Sequence, residues 1–491
     1  MLERLVKDRG FYALLTGLTL LVIFLAVQPP GIDWGDDWAM YISHARNLAS
    51  GHDYFDIGYL FHSSTAEISP TSCPPVFPAY LSFVVRWKGF DLEALKAATV
   101  VTFAIAGALV VFYFSPLIGN GWAVLVALAF AASRIAMDAS HTVTPHGLAI
   151  IWLFAFLLFE RHARKKGWTE SRPWMVAALL LGLALFGAFT RVAGVAIAAA
   201  FVVHDAWVSR RIRKINIAFA IGFAVLFVLL SKAFPGGASY GKQLHIQPGV
   251  YAANLGFYLR MMSYMFLSPL GLTIRTLLFL GSIPLAAWGV VRRLRNGPGL
   301  GEWFILAHLG MLTMYTGGQN PAYLLPIVPF YFSYIAEGAV GLGSGRQAWT
   351  IALRYATCIA LLVAPLANIA NAAKRAPITD GPFRPGFQEL VEEIRRVTPP
   401  DATIASAKPR LLTLLTGRRA GFCVRTQSSA EFMDNLSVRG IQYLVLNRVG
   451  EDDWDWILPH LTTEGDRLET VWSNSETVLY RTRFGPMLAP M

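Results

Sequence analysis

About eleven stretches of this chain are apolar for roughly the length a helix needs to cross a bilayer, and no other feature limits its fold so strongly. They lie near Phe11–Val27, Lys96–Phe114, Gly121–Met137, Pro145–Phe159, Trp174–Thr190, Val192–Val208, Ile215–Leu230, Ile274–Val291, Trp303–Gly317, Tyr323–Leu342 and Ala348–Ile369. Lipid offers no partner to a backbone N–H or C=O, so segments of this kind must be helices that satisfy their own polar groups. The composition agrees. The chain is 55% hydrophobic and 15% charged, against roughly 45–50% and 25% for a soluble domain. A typical cytosolic enzyme and intrinsic disorder are both excluded.

The formal charge of +11, from 42 Lys and Arg against 31 Asp and Glu, raises the question of a nucleic-acid partner. The positions of the charges answer it. The apolar stretch Pro74–Trp87 is only as long as a buried or interfacial segment. With that stretch in the interface, Arg161/Arg164/Lys165/Lys166, Arg210/Arg211/Arg213/Lys214, Arg292/Arg293/Arg295 and Arg346 all fall on the cytoplasmic side. If it spanned, every cluster would move outside. The basic excess therefore orients the protein, and no nucleic acid is implied. Phe11–Val27 follows Arg4, Lys7 and Arg9 but runs into Gln28-Pro29-Pro30, a poor cleavage site, so it reads as a retained anchor with a cytoplasmic N-terminus. The same topology places Gln28–Leu95, Asp138–Thr144, Ser231–Thr273 and the chain after about Asn371 outside. Cys73, Cys358 and Cys423 have neither metal-ligand nor redox-motif spacing.

Residues 371–491 change to a water-soluble composition and form a second domain beside the membrane domain 1–370, to which the first external loop, 28–95, is assigned. Helical patterns at Phe387–Val397, Pro409–Leu415, Ala430–Val438 and Trp454–Leu461 interleave with strand-like Thr403–Ser406, Gly421–Val424, Tyr443–Leu446, Thr470–Trp472 and Thr477–Tyr480. The fold class expected is a polytopic α-helical membrane protein carrying a C-terminal extracytoplasmic α/β domain.

Chemistry concentrates in the first external loop, where Asp33-Trp34-Gly35-Asp36-Asp37-Trp38 opens a helical pattern through Tyr41, Ala45 and Leu48 to Gly51. One use of these acids is structural, since Asp is among the preferred helix N-caps. The other is chemical: paired carboxylates at a membrane surface, buried among aromatic rings, acquire the shifted proton affinity that proton abstraction needs.

This arrangement resembles the GT-C glycosyltransferases, and is similar in particular to the protein O-mannosyltransferases and the lipid A aminoarabinose transferases. An acid pair just after the first membrane helix is followed by Tyr41, Ala45-Arg46-Asn47-Leu48 and Gly51. Cys73-Pro74-Pro75 with Pro78 matches the family's double-proline interfacial segment. Lys96-Ala97-Ala98 falls where the family has an Arg opening the next membrane helix, and Thr190-Arg191 with Gly194 matches a basic residue between two later helices. Tyr323-Leu324-Leu325-Pro326 with Pro329 is similar to an Arg-Tyr…Pro…Pro motif, with Ala322 in place of the Arg. His146 stands where many relatives have an acid, and Cys73 where His, Tyr or Lys is frequent. The likeness covers about the first three quarters of the chain.

The resemblance implies a membrane enzyme of the cell envelope that moves a sugar, with inversion, from a polyprenyl-phosphate carrier to a lipid, glycan or protein acceptor outside the cytoplasm. A multi-pass protein of the plasma (inner) membrane is implied, with membrane lipids around it. Such a donor leaves as a phosphate, so the enzyme needs a base for the acceptor hydroxyl and cations for the departing phosphate. Asp36 is the candidate base, with Asp37 beside it to orient the acceptor or share a proton. Lys96, Arg191, Lys242 and Arg260 are the candidates for the donor phosphate; the alternative for each is a cation that snorkels to the interface. Tyr41, Asp138, His141, His146, Tyr240, His245 and Tyr323 are candidates to line the substrate. Asp138 and His141, three apart, share a helix face. A divalent metal on Asp36, Asp37 and a histidine is conceivable, but relatives using monophosphate carriers do without one, so no essential metal or other cofactor is expected. Two other readings stand beside the enzyme: a lipid or solute transporter, and a non-catalytic binding protein of the same architecture.

Overall fold

The structure is a computed structural model that describes residues 8–62, 69–233, 247–266, 271–316, 319–342, 347–449, 455–463 and 465–484. Its residues cluster into two compact units. One comprises Met1–Pro29, Pro74–Phe77 and Glu93–Ala376; the other comprises Pro30–Cys73, Pro78–Leu92 and Pro377–Met491.

The first unit is helical. Eight of its helices are long and apolar enough to cross a membrane among the described residues: Arg9–Val27, Leu92–Ile118, His146–Lys165, Pro173–Thr190, Val192–Ser209, Lys214–Ala233, Gly271–Arg295 and Ala348–Ala373. Asn120–Ala131 and Arg134–Ser140 make a ninth if counted as one span, although they meet at a 62° bend. That bend is written into the sequence: the Ser133 side chain caps the second piece by accepting from the Ala136 N–H. The two remaining sequence runs shorten for a similar reason. Trp303–Gly317 gives the helix Leu300–Met314, and Tyr323–Leu342 gives a 3-10 turn at Pro321–Leu324 before the helix Val328–Leu342. Each of these helices has 15 residues, short of the roughly 20 a span needs. Phe103, Phe114, Phe130, Phe154 and Phe330 are fully buried in the helical core, and Phe154 and Phe330 stack with centroids 5.7 Å apart.

Basic residues at the ends of several helices close into ion-pair networks. Arg164 bonds Glu160 and Asp205, and Arg213 bonds Asp205 and Glu170. Arg293 pairs with Glu337 and lies 3.6 Å from Glu302.

The second unit is α/β. Its six-stranded sheet has the order β1-β3-β2-β4-β6-β5, with β1 Tyr59–Leu60, β2 Thr403–Ser406, β3 Arg419–Phe422, β4 Tyr443–Asn447, β5 Leu468–Ser473 and β6 Thr477–Thr482. The four strands β1, β3, β2 and β4 run parallel, and β6 pairs antiparallel with both β4 and β5. Every residue of β4 is buried, as expected for a strand covered on both faces. Helices Pro385–Val397, Pro409–Thr416, Ser429–Val438 and Leu458–Thr463 accompany the sheet.

The division placed at residue 370 from the sequence grouped the first loop with the membrane part. The compact units group most of it with the C-terminal segment instead. The reason is backbone hydrogen bonding: β1 comes from that loop and pairs with β3, Tyr59 opposite Ala420 and Leu60 opposite Gly421. A second join lies at Gly31, where φ is +85° and the Ile378 N–H donates to the Pro30 carbonyl at 2.8 Å. A Cβ on Gly31 would fall 2.5 Å from the Ile378 carbonyl oxygen, so only glycine admits the crossing.

Candidate active site

The helix Asp37–Ser50 begins directly after Asp36, which occupies the N-cap position yet makes no side-chain cap bond to its own helix. Its carboxylate turns to a different helix. Oδ1 accepts from the Leu411 N–H at 2.9 Å, in the first turn of Pro409–Thr416, where backbone donors lack intrahelical partners. Oδ2 lies 3.5 Å from the Arg410 Nε and accepts no hydrogen bond among the described residues. Burial raises the Asp36 pKa to about 6, against the opposing pull of Arg410 and the Leu411 N–H; the Asp37 charge raises it further. Asp37 is different: its side chain is 67% exposed and receives the Arg410 Nη1 at 2.6 Å.

Arg410 itself is only 2% exposed. Its guanidinium sits over the rings of Tyr59, at 5.2 Å, and Phe422, at 5.4 Å. Met40, Ile57, Tyr59, Cys73 and Phe422 form an apolar cluster, with Tyr41 packed against it. His44, one turn along the helix, is buried and stacks on Tyr54 with centroids 4.3 Å apart. Its Nδ1–H donates to the Tyr54 carbonyl at 2.7 Å. Burial lowers the His44 pKa to about 4, leaving it neutral at pH 7. The Tyr54 hydroxyl donates to the Cys73 carbonyl at 3.0 Å, and burial raises the Cys73 thiol pKa to about 12. Asp36 is thus a buried carboxylate with one anchored oxygen and one that accepts no hydrogen bond among the described residues.

In the helical unit, Arg191 follows the end of Pro173–Thr190, where the chain turns through a short 3-10 segment, Val192–Gly194, into Val195–Ser209. The turn is tight: a Cβ on Gly194 would lie 2.5–2.7 Å from backbone atoms of Gly187 and Ala188. The guanidinium of Arg191 touches the His146 ring and lies 4.6 Å over the Tyr323 ring. No carboxylate pairs with it among the described residues. The Tyr323 carbonyl is held by His308 Nε2 at 2.9 Å, and the Tyr258 hydroxyl donates to Gln319. Sequence reasoning brought Arg191, His146 and Tyr323 forward separately, and the structure places them together.

Other expected site residues have protein partners. The Lys96 ammonium is fully buried and donates to the Pro29 carbonyl at 2.7 Å and the Glu93 carboxylate at 3.1 Å. It ties the chain leaving the first helix to the start of Leu92–Ile118. Asp138 bonds both Arg134, at 2.5 Å, and Arg375, at 3.0 Å, and Arg375 also reaches His141 Nδ1 at 3.0 Å. Arg260 is exposed and its Nε donates back to its own helix at Gly256. Tyr240, Lys242 and His245 lie outside the described residues. Among the described residues no group of three or more His, Cys, Asp or Glu stands close enough to hold a metal ion.

Arg410 and His44 were missed by sequence reasoning. Lys408-Pro409-Arg410 looks like an ordinary helix start, and the acids that hold the arginine precede it by more than 370 residues.

No protein-family model matches the sequence, and no curated protein matches it. Solved structures do. The chain is similar to ArnT from Cupriavidus metallidurans bound to undecaprenyl phosphate, with TM-score 0.62 and 12% identity over 97% of this chain and 99% of that one. It is also similar to the Archaeoglobus fulgidus oligosaccharyltransferase tethered with an acceptor peptide, with TM-score 0.58 and 10% identity over 89% of this chain and 69% of that one. For AglB of the same organism, in complex with an inhibitory peptide and a dolichol-phosphate, the TM-score is 0.56 at 12% identity. Identities this low speak for the fold alone, which this chain shares with ArnT and the archaeal oligosaccharyltransferase.

Proposed function

We propose that this protein is a multi-pass membrane glycosyltransferase that transfers a sugar from a polyprenyl-phosphate carrier to an extracytoplasmic acceptor, with Asp36 as general base. The observation that carries this reading is the Asp36 carboxylate: buried, anchored through one oxygen, without a hydrogen bond at the other among the described residues, and raised to about pKa 6. A base whose pKa lies near the working pH combines a large ionised fraction with useful proton affinity. The lipid phosphates bound by the structural neighbours support the donor class.

In the reaction proposed, the acceptor hydroxyl gives its proton to Asp36 Oδ2 while its oxygen attacks the anomeric carbon from the face opposite the carrier. The bond from that carbon to the phosphate oxygen breaks, and the carrier phosphate departs with the electron pair. The configuration inverts. Arg191 is the proposed phosphate partner, since a guanidinium with aromatic and histidine neighbours but no carboxylate among the described residues keeps its charge available to an anion. Oδ2 is closed to solvent, so the pocket must open when the acceptor arrives. The basic helix ends support a cytoplasmic N-terminus, with Asp36 on the opposite side of the membrane.

A structural reading of Asp36 has its own support, because the carboxylate caps another helix and faces a buried arginine. One experiment separates the two. The purified chain is supplied with radiolabelled undecaprenyl-phosphate hexoses and pentoses, with native membrane extract as acceptor source. Asp36→Asn, folded as judged by its elution profile and melting, should lower transfer by about 10²–10⁴-fold, the range that general-base loss costs. Near-normal transfer by that variant would leave Asp36 a structural residue. Donor-dependent transfer by the native chain also distinguishes the enzyme from a transporter or a binding protein.

A further inference from the structure

We propose that Arg410, contributed by the segment after β2, is the positioning residue that fixes the geometry and charge of the Asp36 carboxylate, an assignment that rests on Asp36 being the base. The placement is built from three neighbouring strands. Arg410 enters two residues into the helix that follows β2, and its guanidinium lies over Tyr59 of β1 and Phe422 of β3. It reaches Asp37 at 2.6 Å with Nη1 and faces Asp36 Oδ2 with Nε at 3.5 Å, while the next residue, Leu411, gives its N–H to Asp36 Oδ1. Burying a guanidinium costs several kcal/mol unless it is paired. Here two carboxylates and two ring faces compensate, and a planar fork suits that set as a lysine ammonium does not.

Arg410 is also the dominant charge opposing the burial of Asp36. The other groups facing the carboxylate contribute less or are uncharged at neutral pH. From its own helix comes Asp37, which raises its proton affinity, while His44, farther along that helix, acts with Arg410 and is neutral above about pH 5. From the β2 side comes Lys408, which lowers it slightly; the protonated thiol of Cys73 and the ring of Tyr59, from the first loop, stand by Arg410. Without Arg410, only the Leu411 N–H and Lys408 oppose burial and the Asp37 charge, and the base holds its proton to higher pH.

The test uses the full chain with Arg410→Met and Arg410→Lys, compared with the native protein and Asp36→Asn. Two profiles are recorded for each between pH 4 and 9: kcat/KM for whichever undecaprenyl-phosphate sugar is turned over, and the apparent melting temperature relative to the matching double variant that also carries Asp36→Asn. For Arg410→Met, the rising limb of kcat/KM should move upward by about one pH unit or more, giving at least about tenfold less transfer at low pH and recovery at high pH. Arg410→Lys should move it less. The melting profile should show the same displacement, and this readout needs no substrate. A limb at its native position in both variants, with activity scaled uniformly, would reduce Arg410 to a packing residue and overturn the proposal. If Arg410→Met does not fold, the Arg410→Lys profile alone decides. If Asp36→Asn transfers sugar normally, the base assignment itself fails, whatever the arginine variants do.

Discussion

Asp36→Asn should make the protein more stable at neutral pH while disabling it. The Asp36 pKa is about 6 in the folded chain against an ordinary value of 3.8, a difference of about two units, or about 3 kcal/mol. The folded pKa is raised, so the folded form holds the proton more tightly than the unfolded one. That advantage is complete below about pH 4 and gone above about pH 6. At pH 7 the native chain carries an ionised group its surroundings disfavour; asparagine stands in for the protonated form and can still accept from the Leu411 N–H. The variant should match the native protein near pH 4 and exceed it by up to about 3 kcal/mol at pH 7. For a unit of this size that is on the order of 6–12 °C in apparent melting temperature. The native profile alone hides the effect, because His44 has the opposite slope. Its pKa falls from 6.5 to about 4 on folding, so its contribution is present above about pH 6.5 and lost as pH falls through 4. The difference between variant and native removes the histidine and isolates the aspartate. The assay is thermal unfolding of the detergent-purified chain at one-unit pH steps; parallel profiles, or a variant less stable at pH 7, would refute the reasoning.

Arg191→Gln should raise the KM for the lipid donor by at least about tenfold with a smaller effect on melting, since one charge-assisted contact to a phosphate is worth about 1.5–3 kcal/mol; an unchanged KM removes Arg191 from the donor site. Lys96→Met should do the reverse. It deprives the Pro29 carbonyl of its 2.7 Å donor and should cost about 1–3 kcal/mol of stability, with donor KM little altered in the folded fraction. Gly381→Ala places a Cβ 2.0 Å from the Ile32 carbonyl oxygen, so the backbones must separate and melting should drop by several degrees; equal melting would show that the crossing is loose. Transfer should persist in excess chelator, and loss reversed by added divalent metal would establish an ion in the reaction.

The membrane helices were legible because the sequence states their length and polarity within one continuous window. Phe11–Val27 appears as Arg9–Val27, and the run from Lys96 as Leu92–Ile118. The C-terminal strands were legible for the same reason, and Thr403–Ser406 lies where its alternation placed it. What escaped was everything that joins distant residues. Tyr59–Leu60 is a strand of two residues, too short for any periodicity, and exists because β3 offers it a partner. Arg410 carries no local sign that it will be buried, because the acids that permit its burial are remote. Asp138 and His141 were seen to share a helix face, but Arg375, which binds both, lies beyond the 26-residue helix Ala348–Ala373, 234 residues or more away in sequence.

The sheet that β1 enters also sets an order of events during synthesis. The first loop is made early, yet the backbone that anchors Asp36 comes 375 residues later. At about 5–20 residues per second, that is a delay of roughly 20–75 s. Throughout it, the edge of β1 lacks β3, and Tyr59 lacks the ring of Phe422. The loop must stay unaggregated with that strand edge open until the last quarter of the chain arrives. The base and its anchoring N–H meet only when translation is nearly finished, so a chain truncated before Leu411 would fill the membrane with helices while its acid remained unassembled.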